Sequence, residues 1–289
     1  MTAYAQVMKA LENITETPAK LLQKTLPEKT DGNILKLKNM LNTLTENTDW
    51  GKRSEKYDNL DWVNRDALMD SIVKIIDNIK PSTFLDLGTG TGKILKTIKK
   101  KYEKSECWGV DNCSEMLNKI ENREKFFLVK NNAENLKNVP SSYFDAVTAR
   151  MVFHHIKDTE KAAAEIHRIL KPGGTFIICE GTPPSLSAVE WYTEMFKYKE
   201  ERHTLTEMDL INILLSANFN EITTKPILIK NCSLNNWLEN SGTSPENVRI
   251  LKKLHYNAPL HIKKAYNMKF INNDCLMDWK FATVYGIKY

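Results

Sequence analysis

Apolar positions along this 289-residue chain recur in two ways. Recurrence at three- and four-residue steps predicts helices, and short apolar runs bounded by turn formers predict buried strands. The first pattern passes through Val7, Leu11 and Ile14, then through Ile34, Leu37, Met40, Leu41 and Leu44. It returns at Leu68, Ile72, Val73, Ile75, Ile76 and Ile79, at Ile94, Leu95 and Ile98, over 159–170, over 185–203, and from Thr206 to Phe219. The second pattern marks strands at 84–87, 107–111, 126–129, 143–149, 175–180, 222–229 and 281–287. Lys80-Pro81 ends one helix, and Lys171-Pro172-Gly173-Gly174 stops another.

Between the 84–87 strand and the helix opening near Lys93 stand Gly88, Gly90 and Gly92. Glycines on a strand-to-helix turn permit positive φ and let a ligand approach the backbone, while the first helical amides face a polar or anionic group. A dinucleotide fingerprint would place its third glycine at position 93, which is Lys93. The spacing therefore points away from a pyrophosphate cradle. Asp111, 23 positions beyond Gly88, ends the next strand, where its carboxylate can accept hydrogen bonds from both hydroxyls of a ribose.

The Asp86-Leu87-Gly88-Thr89-Gly90-Thr91-Gly92 turn, the stretch from Gly109 through Asp111, Asn112 and Met116, Phe144-Asp145-Ala146-Val147 and Leu170-Lys171-Pro172-Gly173-Gly174 occur in that order. Together they resemble the ordered motifs of class I S-adenosylmethionine-dependent methyltransferases, and within them the small-molecule branch that includes the ubiquinone/menaquinone C-methyltransferases. The resemblance covers about residues 50 to 230. It implies a Rossmann-like α/β fold with a seven-stranded, mostly parallel sheet of order 3-2-1-4-5-7-6. It also implies S-adenosylmethionine as cofactor, S-adenosylhomocysteine as product and no metal. The implied cofactor contacts are Tyr57, Asp86, Gly88, Thr89, Gly90, Gly92, Asp111, Asn112, Met116, Asn132, Ala133, Glu134 and Arg150. Where the family commonly carries an Asp before the Ala, this chain has Asn132, whose amide oxygen can still accept from an adenine amino group.

Domain organisation follows from the same reading. Residues 1–48 form a helical N-terminal arm or cap, because neither of their apolar stripes is stable alone. The core comprises 49–230 and 280–289, with 185–203 as a lid. The family joins its last two strands by a hairpin, whereas here residues 231–279 intervene, expected to be a helical insertion that caps the substrate or makes a homodimer interface.

Ligands of open parallel sheets lie beyond the strand C-termini. That rule places His154, His155 and Glu180 at the crevice as candidate catalytic groups, with imidazole suited to take a proton near neutrality. Glu180 could also hold a substrate hydroxyl or amine, orient a histidine, or cap the turn after it. Trp191, Tyr192 and Phe196 of the lid and Trp237, Tyr256 and Tyr266 of the insertion are the candidate substrate contacts. The two adjacent histidines are not expected to chelate a metal together, and no other set has metal-ligand spacing.

Composition narrows the partners. Lys plus Arg exceed Asp plus Glu by five, a mild and unclustered surplus that reads as solubility and not as nucleic-acid binding. The Lys96 to Lys104 cluster is read as a solvated helix end. Five scattered cysteines read as reduced thiols, and with no signal-like start or long apolar run the chain is expected to be cytoplasmic, without membrane insertion. The expected reaction is in-line methyl transfer to a small-molecule acceptor in a capped pocket. The alternatives are a tRNA or protein methyltransferase, and a noncatalytic cofactor-binding regulatory module.

Overall fold

Residues 55–289 are described by the structure, a computed structural model; the expected arm at 1–48 lies outside them, as does the side chain of Tyr57. In chain order, α1 (Asp66–Ile79) buries Leu68, Ile72, Ile75 and Ile76 along one face and ends at Lys80, whose φ of 50° stops the helix ahead of Pro81. β1 (Thr83–Leu87) runs into the glycine turn, and α2 (Lys93–Lys101) starts at its far side, burying Ile94, Leu95 and Ile98. The basic residues Lys99, Lys100 and Lys101 fall in the last turn of α2, where cations complement the helix dipole.

β2 (Glu106–Asp111), α3 (Ser114–Asn118), β3 (Phe127–Lys130) and β4 (Phe144–Arg150) continue the alternation. α4 (Thr159–Ile169) is capped by Asp158, which accepts from the Lys161 amide. β5 (Leu170–Thr182) follows at once, and a bulge takes Lys171 to Gly174 out of register with β4. α5 (Val189–Lys197) occupies the expected lid segment, and α6 (Glu207–Ser216) opens with a capping box between Thr206 and Asp209. The remainder is β6 (Phe219–Ser233), α7 (Leu234–Asn240), α8 (Pro245–Tyr256), α9 (Leu260–Ala265), β7 (Lys269–Ile271) and β8 (Asp274–Lys288).

The sheet order is β3-β2-β1-β4-β5-β8-β6, with β1 to β5 parallel and β8 antiparallel to both neighbours. The last strand of the chain lies between the fifth and sixth, as the seven-strand order requires. The difference is an eighth strand, β7, paired only with β8. Asn272 and Asn273 make the two-residue turn of that hairpin with φ of 49° and 61°, the backbone a type I′ turn needs. The insertion is thus helical only as far as Ala265, and β6 and β8 each run 15 residues, well beyond the expected 222–229 and 281–287. A register shift between Ile229 and Cys232, at Asn231 with φ 54°, breaks the apolar alternation that would have revealed the extension of β6.

Successive residues of a strand face opposite sides. Phe84 and Ile177 pack with Leu68, Ile72, Trp237 and Phe281 on one face. Leu85 and Phe176 pack with Phe144, Val147 and Ile166 on the other. No helix among the described residues is long and apolar enough to cross a membrane.

Candidate active site

The glycine turn sits at the C-terminal edge of β1. Gly88 has φ 61°, and a Cβ there would lie 1.8 Å from Val152 Cγ2, so only glycine lets the loop after β4 come this close. Gly90, also at positive φ, donates its amide to Asp111 Oδ2 at 2.8 Å, while Oδ1 of the same carboxylate accepts from the Cys113 amide at 2.9 Å. Asp111 therefore ties the β1 turn to the start of α3. Burial raises its pKa, against the pull of these amides. Each oxygen keeps a further lone pair for a ligand.

A cleft of about 360 Å³ opens over this turn. Gly88, Gly90, Asp111, Asn112, Met116, Asn132, Ala133, Glu134 and Arg150 all line it, together with Met151 and His155. The Asn132 Oδ1 accepts from the Glu134 amide at 2.9 Å, and Glu134 Oε1 accepts from the Lys157 and Asp158 amides, so these side chains also fix the cleft wall. Asp86, Thr89 and Gly92 lie beneath or beside it instead. Asp86 is buried, accepts from Thr148 Oγ1 at 2.7 Å, and burial pushes its pKa up to about 6. Gly92, at φ 75°, starts α2 against Ile120.

Across the loop that follows β4 lies a second, apolar chamber. Its walls include Trp62, Tyr192, Phe196, Trp237, Tyr266, Trp279 and Phe281, and its polar groups include His154, His155, Lys199, Glu200, Arg202 and Lys280. Met151 and His155 line both cavities. Met151 holds a positive φ of 58°, unusual outside glycine, and its sulfur accepts from the Gly181 amide at 3.2 Å.

Glu180 is not at the mouth of the crevice but fully buried behind this loop, paired opposite Ala282 of β8. Its Oε1 accepts from the amides of Val152 and Phe153 at 2.8 and 2.7 Å, and Oε2 lies 2.6 Å from His154 Nδ1. Burial pushes its pKa up to about 7, opposed by Arg202. Of the roles open to Glu180 from the sequence, the geometry offers that of orienting a histidine, since Glu180 lines neither cavity. His154 is buried as well, and His155 is half-buried with ring centroids 4.0 Å from it.

Two candidate substrate contacts do not reach the chamber. Trp191 packs edge-on against His255 at 5.0 Å and beside Tyr266 at 5.2 Å. Tyr256 lies on the surface against Phe270 at 4.8 Å. Conversely, sequence reasoning missed Trp62, Trp279 and the group Lys199, Glu200 and Arg202. Lys199 Nζ is 3.1 Å and Arg202 Nη1 3.3 Å from the Glu200 carboxylate, all three side chains being buried. The Arg202 guanidinium also stacks on Phe196 at 4.1 Å. Written as Lys199-Glu200-Glu201-Arg202, this run has the appearance of a solvated loop; its only signal is the aromatic stripe just ahead of it. His154, His155 and Glu200 each present one potential metal-ligand atom, and these atoms all lie within 4.8 Å of one another.

Residues 85–178 match the family described as a methyltransferase domain. The chain is 36% identical over 116 residues to the demethylmenaquinone methyltransferase of Thermotoga maritima, covering 39% of this chain and 50% of that protein. It is 27% identical over 114 residues to the ubiquinone/menaquinone biosynthesis C-methyltransferase of Desulfotalea psychrophila, covering 39% and 46%. The chain thus spans about half the length of these curated relatives. The crystal structure of the YcgJ protein of Bacillus subtilis superposes with a TM-score of 0.66 at 20% identity, over 78% of this chain and 99% of that one, a likeness of fold. Residues 85–178 thus match the methyltransferase-domain family and resemble the ubiquinone/menaquinone C-methyltransferases, and the sheet order is the one that resemblance implied.

Proposed function

We propose that the chain binds S-adenosylmethionine in the cleft over the glycine turn and transfers its methyl group to a small molecule held in the adjoining aromatic chamber. The observation that carries this reading is the pair of cavities meeting at Met151 and His155. Methyl transfer needs a donor and an acceptor brought into line with water excluded, and contributes most of its acceleration through that placement.

The chemistry is a displacement. A lone pair or carbanion of the acceptor forms a bond to the methyl carbon, the carbon–sulfur bond breaks, and its electrons neutralise the sulfonium. An acceptor that starts protonated must lose that proton. His155 reaches both cavities, and the second imidazole, His154, is fixed in orientation by Glu180. Either can take the proton, worth typically about 100- to 10,000-fold in rate. The wall of Tyr192, Phe196, Trp237 and Trp279 suits a flat, largely apolar acceptor, and the likeness to the menaquinone and ubiquinone methyltransferases makes a quinone-like ring the acceptor class to try first.

The test is incubation of purified protein with methyl-labelled S-adenosylmethionine and a panel of phenols, quinols and amines. Label recovered in one class, and lost in a His155→Gln variant that still binds the cofactor, is the expected result. Cofactor binding without transfer to any small molecule would favour the regulatory reading instead.

A further inference from the structure

Against the expectation from their adjacency in sequence, we propose that His154 and His155 form with Glu200 a binding site for a divalent late first-row metal ion, of the Zn²⁺ or Co²⁺ kind, at the polar end of the aromatic chamber. Three observations converge. The ligand atoms of these residues already lie within 4.8 Å of one another. Bonds of about 2.1 Å in tetrahedral geometry would set them about 3.4 Å apart, so uptake of the ion draws the three donors together. His154 and Glu200 are buried and His155 half-buried, so the donors are held by the fold.

The second observation is the support behind His154. A metal-bound imidazole characteristically gives its other ring nitrogen to a carboxylate, which fixes ring and tautomer. Glu180 does this for His154 at Nδ1, at 2.6 Å, and is itself held by the amides of Val152 and Phe153. The third is donor type. Two imidazoles and one carboxylate suit Zn²⁺, Co²⁺ or Fe²⁺, whereas Mg²⁺ and Ca²⁺ prefer all-oxygen sets.

Lys199 and Arg202 also contact Glu200, at 3.1 and 3.3 Å, so the ion shares that carboxylate with two cations and binds more weakly than in a structural zinc site. Three protein ligands leave a coordination position for an oxygen or nitrogen of a molecule in the chamber. This deepens the methyl-transfer reading, on which it rests for its consequence alone: with the ion bound, His154 and His155 act as ligands in place of acting as the base, and an acceptor hydroxyl that coordinates the ion loses its proton to solvent and presents its oxygen as the nucleophile.

The full chain, stripped with chelator, is titrated with Zn²⁺ by calorimetry and with Co²⁺ by visible absorption, with Mg²⁺ as the hard-cation control. One equivalent of Zn²⁺ or Co²⁺ and no Mg²⁺ is expected, with affinity reduced about 10-fold or more in Glu200→Gln and about 10- to 100-fold in Glu180→Gln. His155→Gln, at a half-buried position, serves if Glu200→Gln fails to fold; thermal melts identify such a failure. No saturable uptake, equal affinity in the ligand variants, or a sulfur-to-cobalt absorption band placing the ion on a cysteine would overturn the proposal. S-adenosylmethionine titrated into the same samples separates the two readings: loss of cofactor binding with metal uptake intact sinks the methyl-transfer reading alone, and the converse sinks this one alone.

Discussion

The two cavities that meet at Met151 and His155 are built by different means. The proposed cofactor cleft takes every wall residue from one contiguous stretch of the fold, between Leu87 and Lys157, and its shape depends on backbone amides, positive φ and one carboxylate that clasps two turns. The proposed acceptor chamber draws on 60–62, 151–155, 181–202 and 237–281, and its shape depends on large side chains and buried charges meeting across the sheet face. A ligand met by backbone at successive strand ends can be specified by short local motifs. One met by side chains from four separate stretches cannot, and it can change when any one of those stretches changes.

That contrast can be broken or sharpened by substitution. The largest effect is expected from Glu180→Ala, which leaves two buried amides and the His154 ring without their acceptor. A loss of about 2–4 kcal/mol in stability by denaturant melts and about 100-fold or more in methyl transfer, with cofactor affinity kept, would assign Glu180 to the chamber side. Gly88→Ala strikes the seam itself, forcing positive φ on an alanine and pushing Val152 aside. It should cost about 2–4 kcal/mol and weaken cofactor binding, and trimming Val152 to Ala should restore only part, because the backbone strain stays.

A third effect is on pH. Asp86 is raised to about 6 from an ordinary 3.8 by burial, so between those values the folded chain holds a proton the unfolded chain has released. Stability from this group is present below pH 3.8 and lost as pH rises through 6. Asp86→Asn should therefore flatten thermal stability between pH 4 and 6, by roughly 2–3 kcal/mol relative to the parent. Glu180, also raised, continues the same trend toward pH 7. The smallest effect is expected from Thr206→Ala, which removes the α6 capping box, whose two residues line neither cavity: about 1 kcal/mol in a melt and no change in cofactor binding.

The same contrast explains what could be read in advance. The glycine turn, Asp111 and the cleft residues from Asn112 to Arg150 announce themselves because strand, turn and helix signals are local and each glycine answers a local demand. Trp237 and Tyr266 could be placed near the chamber only because aromatic side chains in an insertion need burial, and that reasoning sent Tyr256 to the same place although it lies at the surface against Phe270. Glu200 was illegible because its burial is made tolerable by Lys199 and Arg202, partners that in a linear string look like a hydrated charge run. β7 was missed because its turn is Asn-Asn and not Asn-Gly, and the full length of β6 because of the bulge at Asn231.

The most direct test of the central claim is calorimetric titration of S-adenosylmethionine into the intact chain and its Asp111→Ala variant. Asp111 holds the Gly90 and Cys113 amides with charge-assisted hydrogen bonds, each worth about 1.5–3 kcal/mol. The account predicts one-to-one binding by the parent and a loss of about 100-fold or more in the variant. No binding by the parent, or equal binding by both, would contradict it.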